Sequence, residues 1–427
     1  MTKRTSFPRV FWVANTIEIL ERFAYYGIFM GFAMYMESLG YNRSQLGIVQ
    51  SMFLFISYFI PVFSGTFADR FGFKKVLIVS YLAYIPSILL LLFTKTYSGI
   101  VFTMLSIGFA AGIFKPLISG TVRLTTDASN KTLGFGIFYM MVNIGASVGP
   151  IVAGKLRALS WNYAFLLAAI SISIMFVITL VLYKEPEREI QEVSVGKKIK
   201  EIFLTLSDVR FAVFLVLLGI FFWLPFWAFF NLCPIYVDKY IDTVSLFNGI
   251  KGIFGSGFAK LLARDEGGIW KVNGEAIAHT GWIILIFQIF ISRLFEKRAA
   301  IPSFLFGLFI AAIGFGIIGF SASLAPAVVL IGIMIFAFGE MITSPRIQEY
   351  ITWIAPKEKA GLYMGSNFLA TCIGAFLSGV YTSLFGKFEG MGSPEYIWYV
   401  LAGNMIFGII AISIFTKVAG EFKEMSE

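Results

Sequence analysis

Charged residues, cysteine and histidine are all scarce in this sequence. Only 14% of the 427 residues are charged, whereas soluble domains carry about a quarter. The single histidine and the two widely spaced cysteines, Cys233 and Cys372, argue against a disulfide framework or a metal site. The HExxH and P-loop motifs are missing as well. We therefore expect neither an enzyme nor an ATP-driven pump within this chain, and no cofactor.

Long apolar runs fill most of the chain, and hydrophobic residues reach 58%. A helix of about 20 such residues crosses the hydrocarbon layer of a bilayer. The alternation with period two that marks an outer-membrane barrel is missing. The sequence therefore predicts an all-α polytopic membrane protein with about twelve transmembrane helices. The predicted spans are 10–38, 46–68, 76–95, 99–123, 133–156, 161–183, 210–237, 278–294, 302–320, 324–350, 361–385 and 395–417.

Basic residues are concentrated in the loops after the even-numbered spans. The positive-inside rule then places both termini in the cytoplasm. The first span is too long for a signal-peptide core and has no small-residue cleavage site, so we expect a multi-pass protein of the cytoplasmic (inner) membrane. This loop bias accounts for most of the net charge of +9, which needs no nucleic-acid partner. The basic residues are Arg70, Lys74, Lys75, Arg123, Lys131, Lys184, Arg188, Lys197, Lys198, Lys200, Lys297, Arg298, Lys357 and Lys359.

Two polar interruptions predict the domain organisation. A charged stretch at 185–209 is interpreted as a cytoplasmic linker between six-helix halves at 1–184 and 210–427. A second interruption, about 238–277, lies outside the cell by the charge rule.

Within this insertion, apolar residues recur at helical spacing and predict one amphipathic helix at the outer membrane interface. The pair Asn273-Gly274 predicts a hairpin turn after that helix. The apolar residues are Phe247, Ile250, Phe254, Phe258, Leu261 and Leu262.

The first span contains three charged residues, Glu18, Glu21 and Arg22. Ionisable groups at the bilayer centre cost about 3 kcal/mol each on insertion scales, and they usually face a bundle interior or a water-filled cavity. The i, i+3, i+4 spacing places all three on one helical face, where they neutralise one another. This pattern is typical of a functional site. An ion cluster that only fixes the position of the helix is the alternative.

The segment from Gly65 to Lys75 resembles the GxxxDRxGxKK loop signature of the major facilitator superfamily. The matching positions are Gly65, Asp69, Arg70, Gly72, Lys74 and Lys75. The resemblance implies two six-helix halves that rock about a midplane site. It also implies that Asp69 caps the next helix and that the loop takes part in the conformational switch.

Five further motifs resemble those of the proton-dependent oligopeptide transporter family, so the chain is identified as an atypical member of it. They are spread over both halves and agree with the family in order. The motifs are Glu18-Ile-Leu-Glu21-Arg22-Phe-Ala-Tyr25-Tyr26-Gly27, Tyr58-Phe-Ile-Pro61, Gly112-Ile-Phe-Lys115-Pro116, Tyr139-Met-Met-Val-Asn143-Ile-Gly145 and Gly339-Glu340-Met-Ile-Thr-Ser344-Pro345, the last followed by Glu349-Tyr350 and Ala355-Pro356.

The resemblance implies a proton-coupled symporter that imports small peptides or a related anionic or zwitterionic solute. Lys115 and Glu340 are each a lone charge in an apolar span, and the family pattern implies that they pair across the halves. Protonation of Glu21 or Glu340 would release Lys115 or Arg22 for an anionic substrate group. The residues assigned to proton coupling are Glu18, Glu21, Arg22, Lys115 and Glu340.

The implied substrate site combines these charges with hydroxyl and amide groups. Its members are Arg22, Tyr25, Tyr26, Tyr58, Lys115, Tyr139, Asn143, Glu340 and Ser344. For the tyrosines, packing with satisfied hydroxyls is the alternative. Asn143 either contacts substrate or bridges helices. His279 is interpreted as an interfacial residue and not a proton carrier.

The substrate site departs from the family at three places. Peptide-transporting members carry a second arginine where this chain has Phe29, and an acidic residue in span seven, which 211–237 lacks. The usual Asn-Pro of span eight is replaced by Phe287-Gln288. A facilitator-superfamily exporter of amphipathic or drug-like compounds is the alternative function. Either way we expect a small-molecule substrate, surrounding membrane lipids and a monomer.

Overall fold

Apolar segments without internal breaks fold as long helices because a bilayer offers no other partner for backbone polar groups. The computed structural model describes residues 6–127, 130–187, 206–295, 297–353 and 360–420, with positions 196, 200, 201 and 204. Most of the predicted linker 185–209, and Ala355-Pro356, lie outside the described residues.

Eleven helical segments among the described residues are long and apolar enough to span a membrane. The first helix is not among them, since it carries Glu18, Glu21 and Arg22. At 21 residues it nevertheless has the length of a span. Counting this helix, the described spans agree with the twelve that the sequence predicts.

The N-terminal part of the chain consists of eight helices within the described residues. Two breaks were not predicted: span one is interrupted after Phe29, and span two at Ile60, because Pro61 follows as the first residue of the next helix. The helices are α1 Arg9–Phe29, α2 Phe32–Ser38, α3 Arg43–Phe59, α4 Pro61–Phe71, α5 Phe73–Phe93, α6 Tyr97–Leu124, α7 Lys131–Arg157 and α8 Trp161–Val181.

The C-terminal part adds further helices and one two-stranded sheet. A π-helical segment, Gly219–Trp223, lies inside span seven. The other elements are α9 Val209–Leu218, α10 Leu224–Tyr240, α11 Thr243–Phe254, α12 Ser256–Leu261, β1 Ala263–Glu266, β2 Ile269–Val272, α13 Gly274–Ile277, α14 Gly281–Phe295, α15 Ala300–Ser321, α16 Val328–Trp353, α17 Ala360–Gly390 and α18 Tyr396–Ala419.

Two compact units divide the chain. The first consists of Met1–Tyr35 and Ile56–Ile199, and the second of Met36–Phe55 and Lys200–Glu427. Residues 36–55 therefore group with the second unit, although they precede the predicted linker.

Helix α3 belongs to the second unit over its first turns because it packs closely on α17. A Cβ atom at Gly47 would collide with the carbonyl oxygen of Gly379, and the reverse holds at Gly379. Glycine at both positions permits this approach.

The insertion begins after Tyr240, where α10 ends, close to the predicted start at about 238. It differs from its prediction in two ways. The single amphipathic helix is broken into α11 and α12 at Gly255, whose φ of +85° disfavours other residues. The hairpin turn is formed by Gly267 and Gly268, both with positive φ, and not by Asn273-Gly274. A two-residue turn of this kind requires positive φ at both positions.

Candidate functional site

The charged residues of the first helix form a buried cluster in the first unit. The Nε of Arg22 lies 2.7 Å from Oε1 of Glu18, and its Nη1 lies 3.3 Å from Oε2 of Glu21. Both carboxylate side chains have no exposed area. Helical spacing alone brings Glu18 and Arg22 together, as the sequence predicts.

Tyr84 adds a hydroxyl donor that sequence reasoning missed. Its OH donates to Oε1 of Glu21 over 3.4 Å, and the side chain is completely buried in α5. A buried tyrosine hydroxyl normally finds a partner. That was the only signal available in the sequence, because 63 positions separate the two residues.

Lys115 is buried in α6 of the same unit. Its Nζ donates to the carbonyl oxygen of Ser57 over 3.3 Å. The ammonium lies 3.9 Å from the ring centroid of Tyr58 and 4.7 Å from that of Tyr25. Two cation–π contacts in a desolvated site contribute about 2 kcal/mol each. Tyr25 and Tyr58, which are predicted to bind substrate, thus also contact the ammonium group of Lys115.

The first helix approaches α7 closely because the YxxxNxG motif supplies a glycine. A Cβ atom at Gly145 would collide with the carbonyl oxygen of Ile19 and lie 2.8 Å from Cβ of Arg22. A Cβ atom at Gly149 would likewise collide with the carbonyl oxygen of Phe23. This contact fixes the backbone from which Arg22 projects.

We expect Gly145→Ala to destabilise the protein by about 1–3 kcal/mol, because the added methyl group overpacks this contact. Gly136→Ala is the matched control, since Gly136 lies in the same helix with nothing within 4 Å of its Cβ position. That change should stabilise the helix by about 0.5–1 kcal/mol. Thermal unfolding of both purified variants measures the difference. Equal melting temperatures would contradict the packing argument.

The remaining predicted substrate residues of this unit lie in less similar environments. Tyr26 is half-buried with its ring 5.2 Å from that of Tyr25. Tyr139 is exposed, and its carbonyl oxygen accepts a hydrogen bond from Nδ2 of the buried Asn143 over 2.9 Å. Phe29 is buried beside Tyr25, so the position of the second family arginine is apolar here.

The loop signature after span two joins two helix ends. A Cβ atom added to Gly65 would lie 4.0 Å from Cβ of Pro116. Asp69 is half-buried in the last turns of α4. Arg70 is exposed, with its guanidinium 5.3 Å from the ring of Phe71. Gly72 has a φ of +101°, which only glycine adopts without strain.

The carboxylate that caps helix α5 belongs to Glu185. Its two oxygens accept hydrogen bonds from the backbone N–H groups of Phe73 and Lys74, at 2.7 and 2.9 Å. Lys74 Nζ also donates to the carbonyl oxygen of Leu180. The resemblance to the loop signature implies a cap by Asp69, and that role stays a prediction. Sequence reasoning interpreted the stretch that contains Glu185 as an ordinary linker.

We expect Glu185→Ala to lower stability by about 0.5–2 kcal/mol, since two N-terminal donors of α5 lose their acceptor. Glu187→Ala, at an exposed position two residues further on, serves as the control. Thermal unfolding in detergent would contradict the cap if both variants melted together with the wild type.

Glu340 forms the corresponding charged site of the second unit. It is buried in α16, and its Oε2 accepts a hydrogen bond from the hydroxyl of Thr280 over 2.9 Å. Ser344 lies one turn further on and is half-buried. Thr280 was missed because a threonine at a span boundary carries no distinct sequence signal. The pairing predicted between Glu340 and Lys115 stays a prediction.

His279 is buried just before α14 begins, and its interpretation as an interfacial residue stays a prediction. Its Nδ1 accepts a hydrogen bond from the backbone N–H of Gly281 over 3.0 Å, and its ring lies 5.7 Å from that of Phe230. An Nδ1 that accepts carries no proton, which fixes the neutral tautomer. Tight packing at the start of α14 explains the burial.

A second ion cluster in this unit was also missed. Nε and Nη2 of Arg43 donate to the two carboxylate oxygens of Glu389 at 2.6 and 3.0 Å. Glu37, Lys239 and the hydroxyl of Tyr240 complete the cluster. A bidentate arginine–carboxylate pair is among the stronger ion pairs. It fastens the start of α3 to the end of α17.

Among the described residues, no group of three or more histidine, cysteine, aspartate and glutamate side chains is arranged to hold a metal ion.

Comparison with known proteins gives a consistent family. The family model of the Major Facilitator Superfamily matches residues 16–379. An uncharacterized MFS-type transporter of Bacillus subtilis (strain 168), YqjV, is 23% identical over 385 residues, which cover 88% of this chain and 86% of that protein. The quinolone resistance protein NorA of Staphylococcus aureus (strain Mu50 / ATCC 700699) is 24% identical over 155 residues, 36% of this chain and 40% of NorA.

Solved structures share the fold. The crystal structure of a POT family transporter in complex with 5-aminolevulinic acid superimposes with a TM-score of 0.74 at 20% identity, and the match covers 96% of each chain. Likeness of this kind extends over both predicted halves and agrees with the predicted fold class.

Proposed function

Because the chain belongs to the Major Facilitator Superfamily, we propose that it is a proton-coupled symporter that imports a small peptide or another anionic or zwitterionic solute. The members of this family are transporters and not enzymes. The observation that carries the proposal is the buried cluster of Glu18, Glu21 and Arg22. Buried ionisable groups in a membrane helix are costly and are retained where they work on ions or substrates.

The four ionisable side chains of the proposed site in the first unit balance in charge when all of them are ionised. Glu18 and Glu21 supply two negative charges, and Arg22 and Lys115 supply two positive charges. Binding one proton leaves the cluster with a net positive charge, which an anionic substrate group neutralises. Because an uncompensated charge is costly at this depth, proton and anion are favoured to bind together. Loss of the proton restores the internal ion pairs and expels the anion.

We assign the transported proton to Glu21 and not to Glu18, on the geometry of their contacts. Its contacts with Arg22 and Tyr84 measure 3.3 and 3.4 Å, whereas Glu18 lies 2.7 Å from Arg22. A short charge-assisted hydrogen bond stabilises the ionised form more strongly. Glu21 therefore loses weaker contacts than Glu18 would when it binds a proton. The 2.7 Å contact with Glu18 then keeps Arg22 in place.

Lys115 and Glu340 provide the second part of the proposed cycle. The Tyr58 and Tyr25 rings hold the Lys115 ammonium, and Thr280 donates to the Glu340 carboxylate. We expect Arg22 and Lys115 to bind the substrate carboxylate, and we assign Glu340, in the second unit, to proton coupling. Alternating access through two rocking halves would then release the solute into the cytoplasm, where both termini are expected.

The structural neighbour that binds 5-aminolevulinic acid supports a small zwitterionic solute. Phe29 replaces a charge at the edge of this site and packs beside Tyr25. We therefore expect the substrate to carry an apolar group where typical peptide substrates meet an arginine. Dipeptides with aromatic side chains are the first candidates.

Export of amphipathic drugs is the second candidate function. The match to the quinolone resistance protein NorA favours it, although that match covers only 36% of this chain. An exporter would exchange an outgoing compound for incoming protons. The two functions therefore differ in the direction of substrate movement relative to the proton.

Purified protein in liposomes with an internal pH-sensitive dye and an inward proton gradient tests the proposal. Dipeptides, 5-aminolevulinic acid or a related zwitterion, added outside, should acidify the lumen and accumulate inside. A quinolone loaded inside should have no effect. Acidification driven only by the internal quinolone would overturn import in favour of export.

A further inference from the structure

The insertion between α10 and α14 has a rigid internal scaffold. Arg264 is buried, and its guanidinium contacts the carboxylates of Asp238 and Glu266 and the Oδ1 of Asn273, at 3.2, 2.6 and 2.8 Å. The backbone N–H of Gly274 donates to the same Asp238. Because Asp238 belongs to α10, these bonds hold the hairpin against the end of a membrane span.

One face of helix α11 is packed onto this scaffold. Leu246, Phe247 and Ile250 are buried, and the ring of Phe247 stacks on Trp270 with centroids 5.9 Å apart. The N-terminus of the helix is capped by Asp242, which accepts hydrogen bonds from Val244 and Ser245. The helix is therefore fixed in orientation, and its other face is presented outward.

That other face carries a continuous apolar patch at the junction of α11 and α12. Ile253 and Phe254 are 77% and 63% exposed, and Phe258 and Leu261 are 46% and 42% exposed. The rings of Phe254 and Phe258 lie 5.3 Å apart, so the two helices present one surface. Gly255 permits the sharp junction through its positive φ.

Basic charge accompanies the patch. Residues 243–262 contain Lys251 and Lys260 and no acidic residue. The Lys260 ammonium lies 5.0 Å from the ring of Trp270, which holds it beside the patch. Hydrogen bonds from Lys271 and Arg264 lower the pKa of Glu266 to about 2, so this carboxylate stays paired with them at neutral pH and does not oppose the lysines.

The patch lies close to the membrane surface by connectivity. Helix α11 begins three residues after α10 ends at Tyr240, and α13 leads directly into the next span. Exposed aromatic and aliphatic side chains next to lysines, on a helix beside a bilayer, are typical of helices that bind the headgroup layer of a membrane containing anionic lipid.

We propose that Ile253, Phe254, Phe258 and Leu261 insert into the headgroup layer of the membrane that the protein spans. Lys251 and Lys260 bind anionic lipid headgroups beside them. The insertion is thus a lipid-binding anchor that fixes the adjoining ends of α10 and α14, and this role is independent of the transported solute.

A fluorophore sensitive to polarity, attached at Ile253→Cys in a full-length chain with Cys233→Ala and Cys372→Ala, tests the proposal. The control label is Asn248→Cys, an exposed position on the same helix. In nanodiscs that contain lipid with a quencher near the headgroup, the label at 253 should be quenched several-fold more than that at 248. Equal quenching at both positions would overturn the proposal.

Two pairs of substitutions separate the apolar and charged contributions. Phe254→Ser with Phe258→Ser should remove most of the quenching at 253 in every lipid. Lys251→Gln with Lys260→Gln should remove only the increase expected when phosphatidylglycerol is added to phosphatidylcholine. If phosphatidylglycerol has no effect on the unsubstituted chain, anionic lipid is not the partner. If Ile253→Cys formed disulfide-linked dimers and its label was not quenched, the patch would bind a second copy of this chain and not lipid.

Discussion

Glu21→Gln is expected to abolish proton-driven accumulation while exchange of substrate across the membrane continues. Glutamine keeps the size and a hydrogen-bond acceptor but binds no additional proton, so substrate binding loses its link to the proton. In liposomes, the variant should exchange labelled for unlabelled substrate and fail to acidify the lumen. If Glu21→Gln acidified the lumen as fast as the wild type, another group would carry the proton.

Two matched variants sharpen this result. Tyr84→Phe removes only the 3.4 Å hydrogen bond to Glu21, and it should retain proton-driven accumulation. Glu18→Gln removes the 2.7 Å partner of Arg22, and it should weaken substrate discrimination and stability more than proton coupling. If Glu18→Gln uncoupled transport and Glu21→Gln did not, the two carboxylates would have the opposite roles.

Arg22→Leu is expected to destabilise the protein by about 3–5 kcal/mol, because it leaves a buried carboxylate without a counter-charge. Both carboxylates have fully buried side chains, so water cannot replace the guanidinium. The melting temperature of the purified protein should fall strongly, and folded yield with it.

Glu18→Leu combined with Arg22→Leu is the control for this prediction. The double variant leaves Glu21 and Lys115, one charge of each sign, and should recover most of the lost stability. If the single and double variants melted alike, loss of arginine packing and not charge imbalance would explain the effect.

Local spacing explains what the sequence could predict. Apolar runs of sufficient length define the spans, and the i, i+4 relation of Glu18 and Arg22 defines their ion pair. Close helix packing at Gly339 follows from its small size, and a Cβ atom there would lie 2.6 Å from the backbone N of Ala311.

Partners that are distant in sequence explain what was missed. Tyr84 meets Glu21, and Thr280 meets Glu340, only after whole helices have packed. Glu185 caps a helix that begins 112 residues earlier. Periodicity specifies which face of a helix is polar, but it does not specify which neighbouring helix supplies the partner.

The hairpin turn was assigned to the wrong pair of residues because two turn signals compete. Asn273-Gly274 and Gly267-Gly268 both favour a two-residue turn. The buried Arg264 decides between them, since it needs the Oδ1 of Asn273 as an acceptor. Gly274 in turn lies too close to the carbonyl oxygen of Pro234 for any other residue.

The number of protons taken up with the substrate tests the central claim most directly. Calorimetric titration of the purified transporter with its anionic or zwitterionic solute, in two buffers of different ionisation enthalpy, gives this number. We predict uptake of about one proton per bound solute, and none for Glu21→Gln. Binding by the wild type without proton uptake, or equal uptake by the variant, would contradict it.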